Sequence, residues 1–191
     1  SAYRYTHPET QGVLKDLVHQ VVEPLGPTLL QVPAAQADVA FLESFTAQIF
    51  AGRGTYGWGG SWAGDAYHVL QYAHLQSEIV YEETIQQRGL DGYKVLVLTD
   101  CDVLPESIVT AVHAFQAQGG IVVADERVCP AIVADIKLPV YLRTKDAAAD
   151  KAALLERAAT LRSALAGTYR PAADSTEAEV IPYRRRFGTT D

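Results

Sequence analysis

Apolar and polar positions alternate with changing period along the chain, and each change of period marks an element. Residues 94–98 (KVLVL) are a short apolar, β-branched run, the pattern of a strand buried on both faces. Pro105 follows where a first helical turn tolerates a missing N–H. Ile108, Val109, Val112 and Phe115 then recur at helical spacing, giving one apolar stripe. Gly119 and Gly120 let the backbone leave the helix at positive φ, and residues 121–124 (IVVA) are the next buried strand. Two buried strands joined by a helix make a parallel, right-handed unit. In such sheets function sits beyond the carboxyl ends of the strands. Here those ends are residues 99–102 and 125–128, and they carry Asp100, Cys101, Asp102, Asp125 and Glu126.

The same reading extends to the rest of the chain. Val13, Leu14, Leu17, Val18, Val21 and Val22 form one face of a helix opened by Thr6, His7, Pro8 and Glu9, and Pro24, Gly26 and Pro27 are expected to end it. Residues 28–32 read as a short extended piece and 33–37 as a linker. Residues 38–44 (DVAFLES) form the first core strand, 45–50 a helical turn, and 51–64 a glycine-rich loop. A helix over 65–76 turns Ala66, Val69, Leu70 and Ala73 inward; a strand at 78–81 and a short helix at 82–88 follow. Another strand is predicted at 138–142 and an alanine-rich helix at 146–166. From Gly167 the chain turns polar, and 180–187 reads as an isolated strand carrying Arg184, Arg185 and Arg186. The organisation expected is a helix and linker from an upstream domain (1–36), an α/β domain (37–166), and a linker with the first strand of a truncated downstream domain (167–191). Strands alternating with helices around a mainly parallel sheet give a three-layer α/β domain of flavodoxin-like type.

Composition narrows the function classes. The 191 residues are 48% hydrophobic, enough to bury the core of one ordinary domain. A net charge of -7 opposes a nucleic-acid surface, which needs a basic face. No apolar run is long enough to span a bilayer, and no signal peptide is seen. Methionine is absent even at position 1, so a processed product or excised fragment is expected; asparagine is absent too, which removes N-linked glycosylation sites. Cys101 and Cys129 are too few for a disulfide framework; each lies just past a strand end, so the two could pair with each other, and two free thiols are the preferred reading.

Candidate chemistry clusters in two places. Cys101 precedes a helix whose N-terminus would lower a thiol pKa, yet His68, His74 and His113 have no sequence-defined proximity to it. Asp100, Cys101, Asp102, Asp125 and Cys129 converge at strand ends, but no C-x-x-C or H-x-x-x-H spacing supports a metal, and no metal or cofactor is expected. Residues 52–57 match G-x-G-x-x-G formally. A dinucleotide fingerprint needs those glycines directly after the first strand, and seven residues, 45–51, intervene. The loop itself is the better candidate: Tyr56, Trp58 and Trp62 offer aromatic faces that stack on sugars or anchor interfaces, with Arg53 and Asp65 for polar contacts. An equal alternative folds the tryptophans onto their own domain. The arginine run reads as a solvated or interdomain strand face.

The frame DVAFLES, then EIVYEETIQQRGLDGYKVLVLTDCDVLPESIVTAVHAFQAQGGIVVADE, resembles the class I glutamine amidotransferase-like domain that follows the catalytic barrel in family 42 β-galactosidases and related glycoside hydrolases, often called the trimerization domain. The resemblance covers residues 37–126, with Thr99 and Asp100 where that family often has Pro-Asn. True amidotransferases of this fold place a cysteine in a G-x-C-x-G turn, activated by His and Glu. The equivalent turn here offers Asp125, Glu126 and Arg127, and no histidine follows His113. The resemblance therefore implies a non-catalytic accessory domain of a glycoside hydrolase, serving interdomain packing, homo-oligomerisation and contact with carbohydrate. The paired carboxylates of glycoside hydrolysis would lie in the barrel. Two other readings stay open: an autonomous hydrolase using Cys101, and a small-molecule or carbohydrate-binding domain.

Overall fold

The computed structural model describes residues 7–52 and 62–188. The chain divides into two compact units, Ala37–Pro182 and a smaller one made of Ser1–Gln36 with Tyr183–Asp191.

In the smaller unit a single helical stretch runs as α1 (Pro8–Leu17), a π-helical turn (Val18–Val22) and α2 (Glu23–Gln31). The prolines do not end it, contrary to the sequence expectation. Pro24 falls in the first turn of α2, where an N–H is dispensable, and the wider π turn just before it absorbs the missing bond. Residues 28–32 are correspondingly helical up to Gln31 rather than extended. The expected strand at 180–187 is reduced to an antiparallel bridge of Arg185 with Ala34. Arg185 also donates its guanidinium to the carbonyls of Leu29 and Val32, which supplies cations and donors to the open C-terminal end of α2.

The larger unit is an α/β domain with a five-stranded parallel sheet in the order β2-β1-β3-β4-β5: β1 Val39–Glu43, β2 Ser77–Tyr81, β3 Val95–Leu98, β4 Ile121–Ala124 and β5 Ile136–Lys137. Parallel strands need crossover helices, and these cover both faces. Strand side chains alternate accordingly. Val39, Phe41, Val95, Val97 and Val123 enter one core with α4 (Trp62–Tyr72) and α7 (Ala147–Leu165). Ala40, Leu42, Leu96, Leu98, Val122 and Ala124 enter the other with α5 (Glu82–Arg88) and α6 (Glu106–Ala117). β1 and β3 lie side by side while their crossovers lead to opposite edges, so the strand order reverses between them.

Local chemistry explains the ends of the elements. Ser44 caps α3 (Phe45–Ala51) by accepting from the Ala47 N–H, and Gly52 closes it in the left-handed region. Asp146 caps α7 by accepting from Ala148 and Ala149. Gly119 sits at φ 92, and a Cβ on Gly120 would collide with the Phe115 ring, so the turn into β4 uses both glycines. The strand expected at 138–142 is displaced to β5. Leu138 still donates to the Ala124 carbonyl, but Pro139 has no N–H with which to extend the ladder. The larger unit also reaches beyond the expected boundary at 166: Tyr169 is part of the core, and Asp174 bonds to His74 and Arg162.

Candidate functional site

The carboxyl ends of the strands gather buried polar side chains at the point where the strand order reverses. Leu42, Leu98 and Ala124 are in register across β1, β3 and β4, so the next residues, Glu43, Thr99 and Asp125, form a row. Glu43, Ser44, Glu82, Thr99, Asp100 and Asp125 are all buried. A buried carboxylate must be paired or hydrogen-bonded, and each of these acids has such partners.

Asp125 accepts from the backbone N–H of Asp100 (2.8 Å) through Oδ2 and from that of Arg127 (2.9 Å) through Oδ1. Burial pushes its carboxyl up, and the two backbone donors hold it partly down. The Trp62 indole N–H has no partner in hydrogen-bond geometry, yet it lies close enough to Asp125 to draw that carboxyl down as well. Asp100, itself at φ 55, takes the Arg127 guanidinium at 2.8 Å. Glu82 accepts from Ser44 Oγ (2.6 Å) and Thr46 Oγ1 (2.7 Å), and Glu43 from the Gln48 amide. The Thr99 hydroxyl is buried without a partner among the described residues.

Cys101 lies inside this ring. It is fully buried, and its thiol faces the Thr99 carbonyl at 3.3 Å. Burial first, then the charges of Asp125, Asp100, Glu43 and Glu82, raise its pKa well above that of a free thiol. The helix-terminus activation considered from sequence is thus opposed by four carboxylates. No histidine bonds to it. His68 contacts Gln71, His74 contacts Asp174, and His113 donates to the Ala131 carbonyl. Cys101 and Cys129 are free thiols, joined through the backbone by the Cys129 N–H and the Cys101 carbonyl. Among the described residues no group of three or more His, Cys, Asp or Glu side chains is placed to hold a metal.

The other sequence candidates scatter. Asp102 is half-buried, and Glu126 is exposed and accepts from the Val140 N–H. Trp62 opens α4 and is buried, so it presents no face to a sugar. Asp65 is also buried, and Arg143 clamps both its oxygens, tying α4 to the segment before α7. Arg53, Tyr56 and Trp58 lie outside the described residues. Sequence reading missed Arg127, Arg143, Ser44 and Thr46, whose partners are 27, 78, 38 and 36 residues away. The one available signal was the position of Ser44 and Thr46 at the end of the first strand.

No protein-family model matches the chain, and no curated protein matches it. Among solved structures it is similar to α-L-fucosidase isoenzyme 2 from Paenibacillus thiaminolyticus, at 25% identity and a TM-score of 0.42 over 59% of this chain and 16% of that one. It is similar also to a β-galactosidase from Rahnella sp. R3, at 20% identity and a TM-score of 0.42 over 58% and 17%. The sugar isomerase domain of an RpiR transcription factor from Sphaerobacter thermophilus matches at 18% identity and a TM-score of 0.39 over 79% and 95%. The chain matches about a sixth of the length of the two glycoside hydrolases, 16% and 17%. Glycoside hydrolases thus stand among the structural neighbours at partial coverage.

Proposed function

We propose that this chain is a non-catalytic accessory domain of a larger glycoside hydrolase, built on an amidotransferase-like frame, and that it works by packing against neighbouring domains and supporting assembly of copies. The observation that carries the reading is the state of Asp125. It stands in the turn after β4, where the resembled fold would place its nucleophile, and both its oxygens are taken by backbone N–H groups. A carboxylate so engaged is a structural clamp. The strand order β2-β1-β3-β4-β5 supports the flavodoxin-like frame. The suppressed thiol of Cys101 counts against the autonomous hydrolase.

The test has two parts. The reading frame upstream should encode a barrel domain with a pair of catalytic carboxylates. The purified chain should turn over neither glutamine nor aryl glycosides, before or after Cys101→Ser. Turnover that Cys101→Ser abolishes would overturn the reading.

A further inference from the structure

The two edges of the sheet are built differently. β5 is two residues long, exposes Lys137 and is followed by Pro139 after a single residue, and each of these features discourages another strand from pairing there. β2 has none of them. It is five residues (SEIVY) in unbroken register with β1, with no proline or lysine, and its outer side has no strand neighbour among the described residues. The outward backbone N–H and C=O groups of such a strand are a template for another strand. Exposed apolar side chains lie on it and beside its carboxyl end. Ile79 and Tyr81 are exposed on β2 itself. Ser44 and Thr46 bond to Glu82, directly after β2, and so hold the start of α3, with exposed Phe45, beside Tyr81. Ile79, Tyr81 and Phe45 are 46–57% exposed.

We propose that β2 pairs with β2 of a second copy, antiparallel about a twofold axis through Ile79, so that two five-stranded sheets become continuous. The occupant follows from the strand's own sequence. About that axis Ile79 meets Ile79 and Ser77 meets Tyr81 on one face, and Glu78 meets Val80 on the other. No like charges stand directly opposed. That matters for a chain of net charge -7, which repels its copies elsewhere. The only charge within β2, Glu78, is already held by the Tyr93 hydroxyl at 2.8 Å. The rings of Tyr81 and Phe45, each about half exposed, offer about 200 Å² per copy. With Ile79 of both copies and the strand backbone, the pairing buries on the order of 800 Å², the scale of a weak, concentration-dependent association. The inference rests on the assembly role proposed above and names its surface.

The experiment is oxidative cross-linking of Ile79→Cys. Directly opposed residues of antiparallel strands lie within disulfide range. The control is Val133→Cys, an exposed site away from β2. The expected result is rapid conversion of Ile79→Cys to a covalent dimer, with Val133→Cys remaining monomeric on a non-reducing gel. Ile79→Lys, which sets two ammonium groups face to face, should raise the dissociation constant about tenfold or more while leaving the circular dichroism unchanged. A dimer that survives Ile79→Lys, or a trimer, overturns the β2 surface and leaves the assembly role standing. A chain that stays monomeric at every concentration overturns both.

Discussion

Replacing Asp125 with alanine removes the acceptor for two backbone N–H groups at once, those of Asp100 and Arg127. Each orphaned donor in a buried turn costs about 1–3 kcal/mol. Relief of the carboxylate's own burial penalty returns part of that, since Asp125 is buried and its charged form is disfavoured. The net loss expected is about 2–4 kcal/mol. In Asp125→Asn the side-chain amide keeps one acceptor and loses the other, so that change should cost about half as much. Urea unfolding followed by circular dichroism measures both, and the denaturant slope should not change, because the surface exposed on unfolding is the same. The pH dependence has a definite sign. The folded pKa of Asp125 is raised, so its protonated form favours the folded state. That contribution is fully present below the unfolded carboxylate pKa and is lost as pH rises through the folded value. The advantage of wild type over Asp125→Asn should therefore widen toward acid. An Asp125→Ala variant within about 0.5 kcal/mol of wild type would refute the clamp.

Three further outcomes are expected. Native Cys101 should resist iodoacetamide at pH 8 while half-buried Cys129 reacts, as peptide mass spectrometry would show; labelling of Cys101 at the rate of a free thiol contradicts the ring of carboxylates around it. Asp65→Asn should cost about 2–3 kcal/mol in thermal or urea unfolding, below the figure for a fully buried pair because Arg143 is half exposed, and an unchanged midpoint would count against the clamp. Asp174 is held well below the usual carboxylate range, by Arg162 first and His74 second. Its contribution is present above the unfolded pKa and lost as pH falls through the folded one, so residues 170–182 should become sensitive to hydrogen exchange only below about pH 4, and protection unchanged at about pH 2 would contradict the anchor.

The parts of the fold legible in the sequence were those set by local pattern. Residues 94–98 and 121–124 have no other apolar use than as doubly buried strands, and β3 and β4 lie there. The helix of the smaller unit misled because Pro24 and Pro27 were read as stops, whereas Pro24 falls in a first turn preceded by a π turn, where a proline is compatible with continuing, and Pro27 is carried inside α2. The edge strand β5 was placed two residues late, since a hydrophobic run such as 138–142 does not reveal that Pro139 cannot bond. At the site, sequence put Asp100 and Asp125 at neighbouring strand ends. It could not tell that Asp125 would accept from the backbone of Asp100, or that Arg127 would fold back onto that same residue. Those contacts depend on register and turn geometry. Trp62 was ambiguous for a similar reason: its flanking glycines suggested a loop, and only the packing of α4 on the sheet shows the ring buried.

The proposed assembly role requires copies of this chain to associate in solution. Light scattering behind size exclusion, run over a wide range of protein concentrations, reads that association directly. The expected result is a species of twice 20.7 kDa whose population rises with concentration. A particle that stays at 20.7 kDa throughout would contradict the assembly role.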